Sequence, residues 1–167
     1  MSGLRSLYGE LILDHAREPH GAGLRDPFDV EVHHVNPTCG DEVRLRLLLD
    51  GDGAAALVRD VSYDAQGCAI SVAGSSVMTD EVVGGTVAQA LARYDGVLEV
   101  LQGRAEPDPQ VHGDVAAFAG VRRFPARVRC ALLGWAALRD ALARTAGKGP
   151  ARPDAGAGES RPTLEDR

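Results

Sequence analysis

The sequence predicts an α+β fold in which a three-stranded antiparallel sheet is covered on one face by helices. Two observations carry this expectation. Short stretches that alternate apolar and polar residues fill positions 30–63, separated by turn residues, and helical spacing takes over after Gly67. Strands grouped first and helices afterwards favour segregated layers over β-α-β units. A chain of 167 residues, 44% hydrophobic and 25% charged, is long enough to bury one domain's core. Aromatics are only 4%, so that core must rest on Leu, Val and Ala.

Residues 4–17 place Leu4, Leu7, Tyr8, Leu11 and Ile12 on one helical face. Pro19 and the run Gly21-Ala22-Gly23 end that helix. After the turn at Asp26-Pro27, residues 30–35 alternate as a strand would. Asn36-Pro37-Thr38-Cys39-Gly40-Asp41 interrupts them with turn chemistry. Residues 43–49 alternate again, with Val43, Leu45 and Leu47 on one side and Arg44 and Arg46 on the other. Asp50-Gly51-Asp52-Gly53 turns the chain into a third strand over 57–63. The small-residue segment 68–79 predicts a helix starting at or just after Gly67. Another is predicted over 86–101, with Val87, Ala90, Leu91, Tyr94, Leu98 and Leu101 on one face. Residues 103–114 read as a polar connector with two prolines. The last helix starts near Pro125 and runs to about residue 144 on the stripe Val128, Leu132, Trp135 and Leu138. Residues 147–167, rich in Gly, Pro and charge, are expected to form a disordered tail beyond a domain spanning 1–146.

A formal net charge of −6 argues against a nucleic-acid binder, which would carry a clustered basic face. No apolar run is long enough to span a bilayer, and the first ten residues lack the layout of a secretory signal. A cytoplasmic protein with no membrane or nucleic-acid partner is the expectation. Three cysteines, an odd number, do not form a secreted disulfide framework. In a reducing compartment the choices are packing, catalysis or metal.

Each cysteine falls at an element boundary: Cys39 in the turn between the first two strands, Cys68 where the third strand hands over to a helix, Cys130 near the start of the last helix. Such places suit metal ligands, because several elements can converge there. A tetrahedral zinc would need a fourth donor. Asp41 follows Cys39 across Gly40, whose access to positive φ would let the chain curl so that both side chains face one point. A plain turn carboxylate is the alternative for Asp41. His33 and His34 are other conceivable donors, one on each face of their strand. His15, His20 and His112 lie in helix-end or loop contexts with nothing else to mark them. No paired C-x-x-C occurs, so spacing by itself does not announce zinc. Motifs for a zinc hydrolase or deaminase, which need an open coordination position and a general base, do not occur either.

Three segments together resemble one family. Asn36-Pro37-Thr38-Cys39-Gly40-Asp41, Gly67-Cys68-Ala69-Ile70-Ser71 and Arg122-Arg123-Phe124-Pro125-Ala126-Arg127-Val128-Arg129-Cys130-Ala131-Leu132 are similar to the SufU family, the zinc-containing relatives of IscU/NifU-type iron–sulfur scaffolds. The resemblance runs from about residue 7 to residue 144. Arg129 stands where the scaffold branch carries His before its last cysteine. Phe124-Pro125-Ala126-Arg127 replaces that branch's Pro-Pro-Val-Lys loop, and the interval from Cys68 to Cys130 is longer than the scaffold's.

The resemblance implies one Zn²⁺ on Cys39, Asp41, Cys68 and Cys130, with an iron–sulfur cluster as the alternative cofactor. It implies a SufS-type cysteine desulfurase as partner, with SUF scaffold proteins downstream. In the implied mechanism the docked desulfurase offers a histidine to the zinc. Cys39 is thereby freed to take the sulfane sulfur of a persulfide, by exchange governed by thiolate fraction, nucleophilicity and access. Three thiolates and a carboxylate outweigh a dication, so a nearby cation is favoured, and Arg127, one turn before Cys130, is the candidate. The rival readings are an IscU-type scaffold carrying a cluster and an interaction module with purely structural zinc.

Overall fold

A computed structural model describes residues 2–146, with side chains from 9 to 145. The predicted tail, 147–167, lies outside the described residues, as do the side chains of Leu4, Leu7 and Tyr8. Helix α1 (Ser2–Arg17) leads into strands β1 (Val30–Val35), β2 (Glu42–Asp50) and β3 (Leu57–Gln66). Helices α2 (Ala69–Val82), α3 (Val87–Leu101) and α4 (Pro109–His112), a 3₁₀ segment (Gly113–Arg123) and α5 (Pro125–Ala146) follow.

The sheet is antiparallel in the order β1-β2-β3, with Val32 opposite Leu45 and Leu45 opposite Tyr63. Alternation sends Val30, Val32, Val43, Leu45, Leu47, Val58, Val61 and Tyr63 into the core. Val58 and Val61 share a face although three residues apart. The register shifts between Leu48 and Leu49, opposite Asp60 and Val58, so Arg59 is an extra residue that resets the alternation. The outer face is polar, and Glu31 faces Arg46 across β1 and β2 in a 2.7 Å ion pair.

Helix α5 lies on β1 and β2, and α2 lies on β3, so the helices cover one face as the sequence predicts. Trp135 and Leu138 of α5 are fully buried; side chains of this size each contribute about 1.5–3 kcal/mol by leaving water. Helix α2 is buried on almost every side, through Ser71, Ala73, Gly74, Ser75, Ser76, Val77 and Met78. Its small residues let it run through the middle of the molecule. Two of its buried hydroxyls turn back on the helix, Ser75 donating to the Ser71 carbonyl and Thr79 to that of Ser75.

One expectation needs correction: the buried face of α3 is Ala90, Val97, Val100 and Leu101, while Leu91 is 37% exposed. After the polar connector, where the sequence predicts no element, Val115, Phe118 and Val121 of the 3₁₀ segment are buried. They recur every third residue, the 3₁₀ period, which a search for 3.6-residue spacing passes over.

Candidate metal centre

Three pieces of chain are shaped so that their thiols and one carboxylate meet. The loop between β1 and β2 closes on itself. Asn36 N–H donates to the Asp41 carbonyl at 2.7 Å, Gly40 N–H to the Asn36 carbonyl at 2.7 Å, and Thr38 N–H to Asn36 Oδ1 at 3.1 Å. Gly40 has φ +80°, the left-handed conformation that glycine alone adopts without strain. This curl leaves Cys39 exposed at the tip and brings Asp41, 8% exposed, inward at the start of β2.

Cys68 is the N-cap of α2, with extended backbone and no side-chain capping bond of its own. Asp41 is anchored at this helix start. Its Oδ2 accepts the Cys68 N–H at 3.3 Å and the hydroxyl of Ser71, in the first turn of α2. Gly67 makes the approach feasible, since a Cβ there would lie 2.8 Å from Asp41 Cβ and Oδ2. Cys130 comes from α5, 3% exposed. Helix α5 is drawn against α2 at two glycines: Gly74 faces the Ala131 carbonyl and Gly134 faces Ser75, with no room for a Cβ at either.

The outcome is a compact donor set. Cys39 Sγ and Cys130 Sγ are 3.7 Å apart, and these sulfurs with an Asp41 oxygen all lie within 4.8 Å of one another. Cys68 stands just outside that tight group, its Sγ 3.7 Å from Ser71 Oγ. All three cysteines are free thiols. The sulfur separation fits a metal and not a disulfide. Two thiolates at about 2.3 Å from a tetrahedral zinc are roughly 3.8 Å apart, whereas a disulfide needs about 2.05 Å.

Electrostatics point the same way. Burial pushes the Cys130 thiol up to about 12, with the Cys39 and Cys68 thiols adding to the shift. Three sulfurs this close cannot all ionise without a cation among them. Burial also pushes the Asp41 carboxyl up, but hydrogen bonds from Ser71 and Cys68 outweigh it and leave Asp41 below the usual carboxylate range. Both bonds go to Oδ2, so Oδ1 remains as a donor whose direction is fixed by the other oxygen. Cys39, Asp41 and Cys130 therefore fit Zn²⁺ in chemistry and spacing, and Cys68 is the neighbouring thiol that would complete the set.

Arg127 is exposed, and its guanidinium has no hydrogen bond or ion pair among the described residues. Arg129 instead reaches over the Cys39 loop, donating to Thr38 Oγ1 at 3.2 Å. Neither strand histidine joins the centre: His33 pairs with Glu42 at 2.6 Å and His34 with Asp140 at 2.9 Å. The sequence signalled neither the hold of Ser71 on Asp41 nor the bridge from Arg129 to Thr38. Both join residues far apart in the chain, although Ser71 stands in the first turn of a predicted helix. His15 and His20, which the sequence left unmarked, meet in a polar cluster with Ser76, Asp80 and Asp114.

Comparison with known proteins assigns the architecture. A family model described as the NifU-like N-terminal domain matches residues 7–146. The chain belongs to this family. Among its relatives, the zinc-dependent sulfurtransferase SufU of Bacillus subtilis is 38% identical over 147 residues, covering 87% of this chain and 96% of that protein. The iron–sulfur cluster assembly scaffold protein IscU of Streptococcus pyogenes is also 38% identical, covering 87% and 89%. A crystal structure of a candidate SUF-system scaffold protein from Fervidobacterium islandicum superposes with a TM-score of 0.70 at 34% identity, over 82% of this chain and 97% of that one. The SufU-like identity and the α+β architecture expected from the motifs both hold.

Proposed function

We propose that this chain accepts persulfide sulfur from a SufS-type cysteine desulfurase for iron–sulfur cluster assembly, using Zn²⁺ held by Cys39, Asp41, Cys68 and Cys130. The observation that carries this reading is the asymmetry of the donor set: Cys39 is exposed on a loop tip, whereas Cys130 and Asp41 are buried and pinned. An exposed thiolate among buried ligands is the one that a partner protein can reach. The name of the B. subtilis relative supports the assignment of zinc and sulfur transfer.

Bound zinc would keep the thiols ionised near neutral pH and bring no redox chemistry of its own. The sulfur step belongs to Cys39. Its thiolate attacks the terminal sulfur of the desulfurase persulfide, the S–S bond breaks, and the desulfurase cysteine leaves as a thiolate. Cys39 is left as the persulfide, ready for the same exchange with a downstream SUF scaffold protein. Cys130, Cys68 and Asp41 do not move sulfur; they hold the centre while Cys39 reacts. Arg127, exposed one turn before Cys130, is the candidate cation for the negative donor set, and Arg129 restrains the loop through Thr38.

The test is Cys39→Ala with a purified SufS-type desulfurase. We expect stimulation of the desulfurase to be lost and Cys39 of the native chain to be recovered as a persulfide by alkylation and mass spectrometry. Wild-type stimulation by the variant would overturn the proposal. A second reading, a scaffold that carries an iron–sulfur cluster, draws on the IscU relative of equal identity and on the oxygen donor Asp41. Metal analysis separates the two: one zinc per chain favours sulfur transfer, and iron with acid-labile sulfide favours the scaffold.

A further inference from the structure

His15, His20 and Asp80 form a second cluster of metal donors. One ring nitrogen from each histidine and one Asp80 oxygen lie within 4.8 Å of one another. They come from three places: the end of α1, the turn after it, and α2. His15 is 5% exposed. Its Nε2 donates to Asp114 Oδ2 at 3.0 Å, and its Nδ1 meets the Ser76 hydroxyl at 2.6 Å. With the proton on Nε2, the Nδ1 lone pair accepts the Ser76 hydroxyl, a bond that a metal ion on Nδ1 would replace, and the carboxylate behind the ring fixes the tautomer. Carboxylate, imidazole and metal in line are a common ligand arrangement.

His20 is equally well placed. Its backbone N–H donates to Ser76 Oγ at 2.8 Å and its carbonyl accepts from Tyr63 Oη at 2.7 Å. Gly21, at φ +82°, packs so closely on Thr79 that a Cβ would collide. The turn is therefore pinned to α2, while the His20 ring and Asp80 stay accessible from solvent and pair at 2.7 Å. The surroundings are negative. Asp80 and Asp114 pair only with these two histidines among the described residues. Nearby Glu81 is shifted upward, first by burial, against the charge of Arg93 and a backbone hydrogen bond from Asp114, with the charges of Asp114 and Asp80 adding to the rise. Two imidazoles beside these carboxylates form a donor set that suits a cation.

We propose that His15, His20 and Asp80 bind one divalent transition-metal ion, with Asp114 as the carboxylate that orients His15. Imidazole and carboxylate together suit Zn²⁺, Co²⁺, Ni²⁺ or Fe²⁺ rather than Ca²⁺. Rotation of the exposed His20 and Asp80 side chains closes the present spacing to the roughly 3.3 Å of neighbouring tetrahedral ligands. Three protein donors leave a position open to water or an exchanging ligand. The cysteine centre takes no part in this site.

The test is calorimetric titration of the full chain, carrying one equivalent of zinc for the cysteine centre, with Co²⁺, followed in parallel by absorbance. We expect one further equivalent with weak nitrogen- and oxygen-type visible bands and no thiolate charge-transfer band. His20→Ala and Asp80→Asn, both at exposed side chains, are each expected to weaken that event at least about tenfold. Absence of a further equivalent would overturn the site. So would an affinity unchanged in both variants, or a thiolate band rising with the heat, since cobalt would then be replacing zinc on the cysteines. None of these readouts depends on sulfur transfer.

Discussion

Gly67 is the residue on which the cysteine centre's shape turns. Asp41 cannot retreat from an added Cβ there, because Oδ2 is tied to Ser71 and to the Cys68 N–H. Gly67→Ala is expected to displace the carboxylate and cost about 1–3 kcal/mol of stability, as overpacking does. Chelator competition should show weaker zinc binding in the same variant; unchanged midpoint and affinity would mean that the site adapts around the methyl. Ser71→Ala isolates the other side of the contact. It leaves all four proposed ligands in place and removes the shorter of the two bonds that hold Oδ2, so zinc affinity should fall by about 10–100-fold, whereas a wild-type value would show that the Cys68 N–H alone orients Asp41. Cys39 and Asp41 were legible as a pair, because Cys-Gly-Asp in a turn folds two donors together. The hold of Ser71 was not, because only the tertiary approach of β2 to α2 brings it within reach across thirty positions.

At the scale of elements, the centre depends on how closely α5 crosses α2. Gly74 abuts the Ala131 carbonyl, a backbone atom that cannot swing aside. Gly74→Ala should push the helices apart near Cys130, lowering stability by about 1–3 kcal/mol and loosening zinc although no ligand is touched. Helix α5 is also tied to β1, where Asp140 accepts from His34 at 2.9 Å and from Arg144 at 3.1 Å. Burial pushes the Asp140 carboxyl up, but these partners outweigh it and hold the group below its usual range. A carboxyl depressed by folding takes up fewer protons in the native state than in the unfolded one. Its stabilisation is therefore complete above the unfolded pKa and is lost as pH falls through the folded pKa. Asp140→Asn should lower the urea midpoint at neutral pH and flatten its acid limb; parallel curves for variant and wild type would show the pair to be energetically silent. Elements with a regular period were legible, β1 to its terminal residues, while the 3₁₀ segment escaped because Val115, Phe118 and Val121 recur at three.

The whole molecule decides whether the metal is there for folding or for chemistry. The sheet-and-helix core, built on Leu45, Leu47, Val61, Trp135 and Leu138, is buried without any contribution from the exposed Cys39 loop. A small zinc finger lacks such a core and unfolds when its metal is removed; this chain should not. If the proposed zinc binds the native state alone, then at free metal about a thousandfold above Kd it should add about 4 kcal/mol, raising Tm by roughly 10 °C for a domain of this size. Stripping with a chelator should bring Tm down by that margin while the far-ultraviolet circular dichroism at 25 °C stays native. Cys39→Ala should lose part of the shift, and Cys130→Ala more, because the buried cysteine also leaves a cavity beside Ala131 and α2. Collapse of the fold on metal removal would make the centre a structural cross-link and withdraw the argument for sulfur chemistry at Cys39. A stable metal-free chain whose exposed thiol alone governs transfer is the outcome that the separation of core from loop leads one to expect.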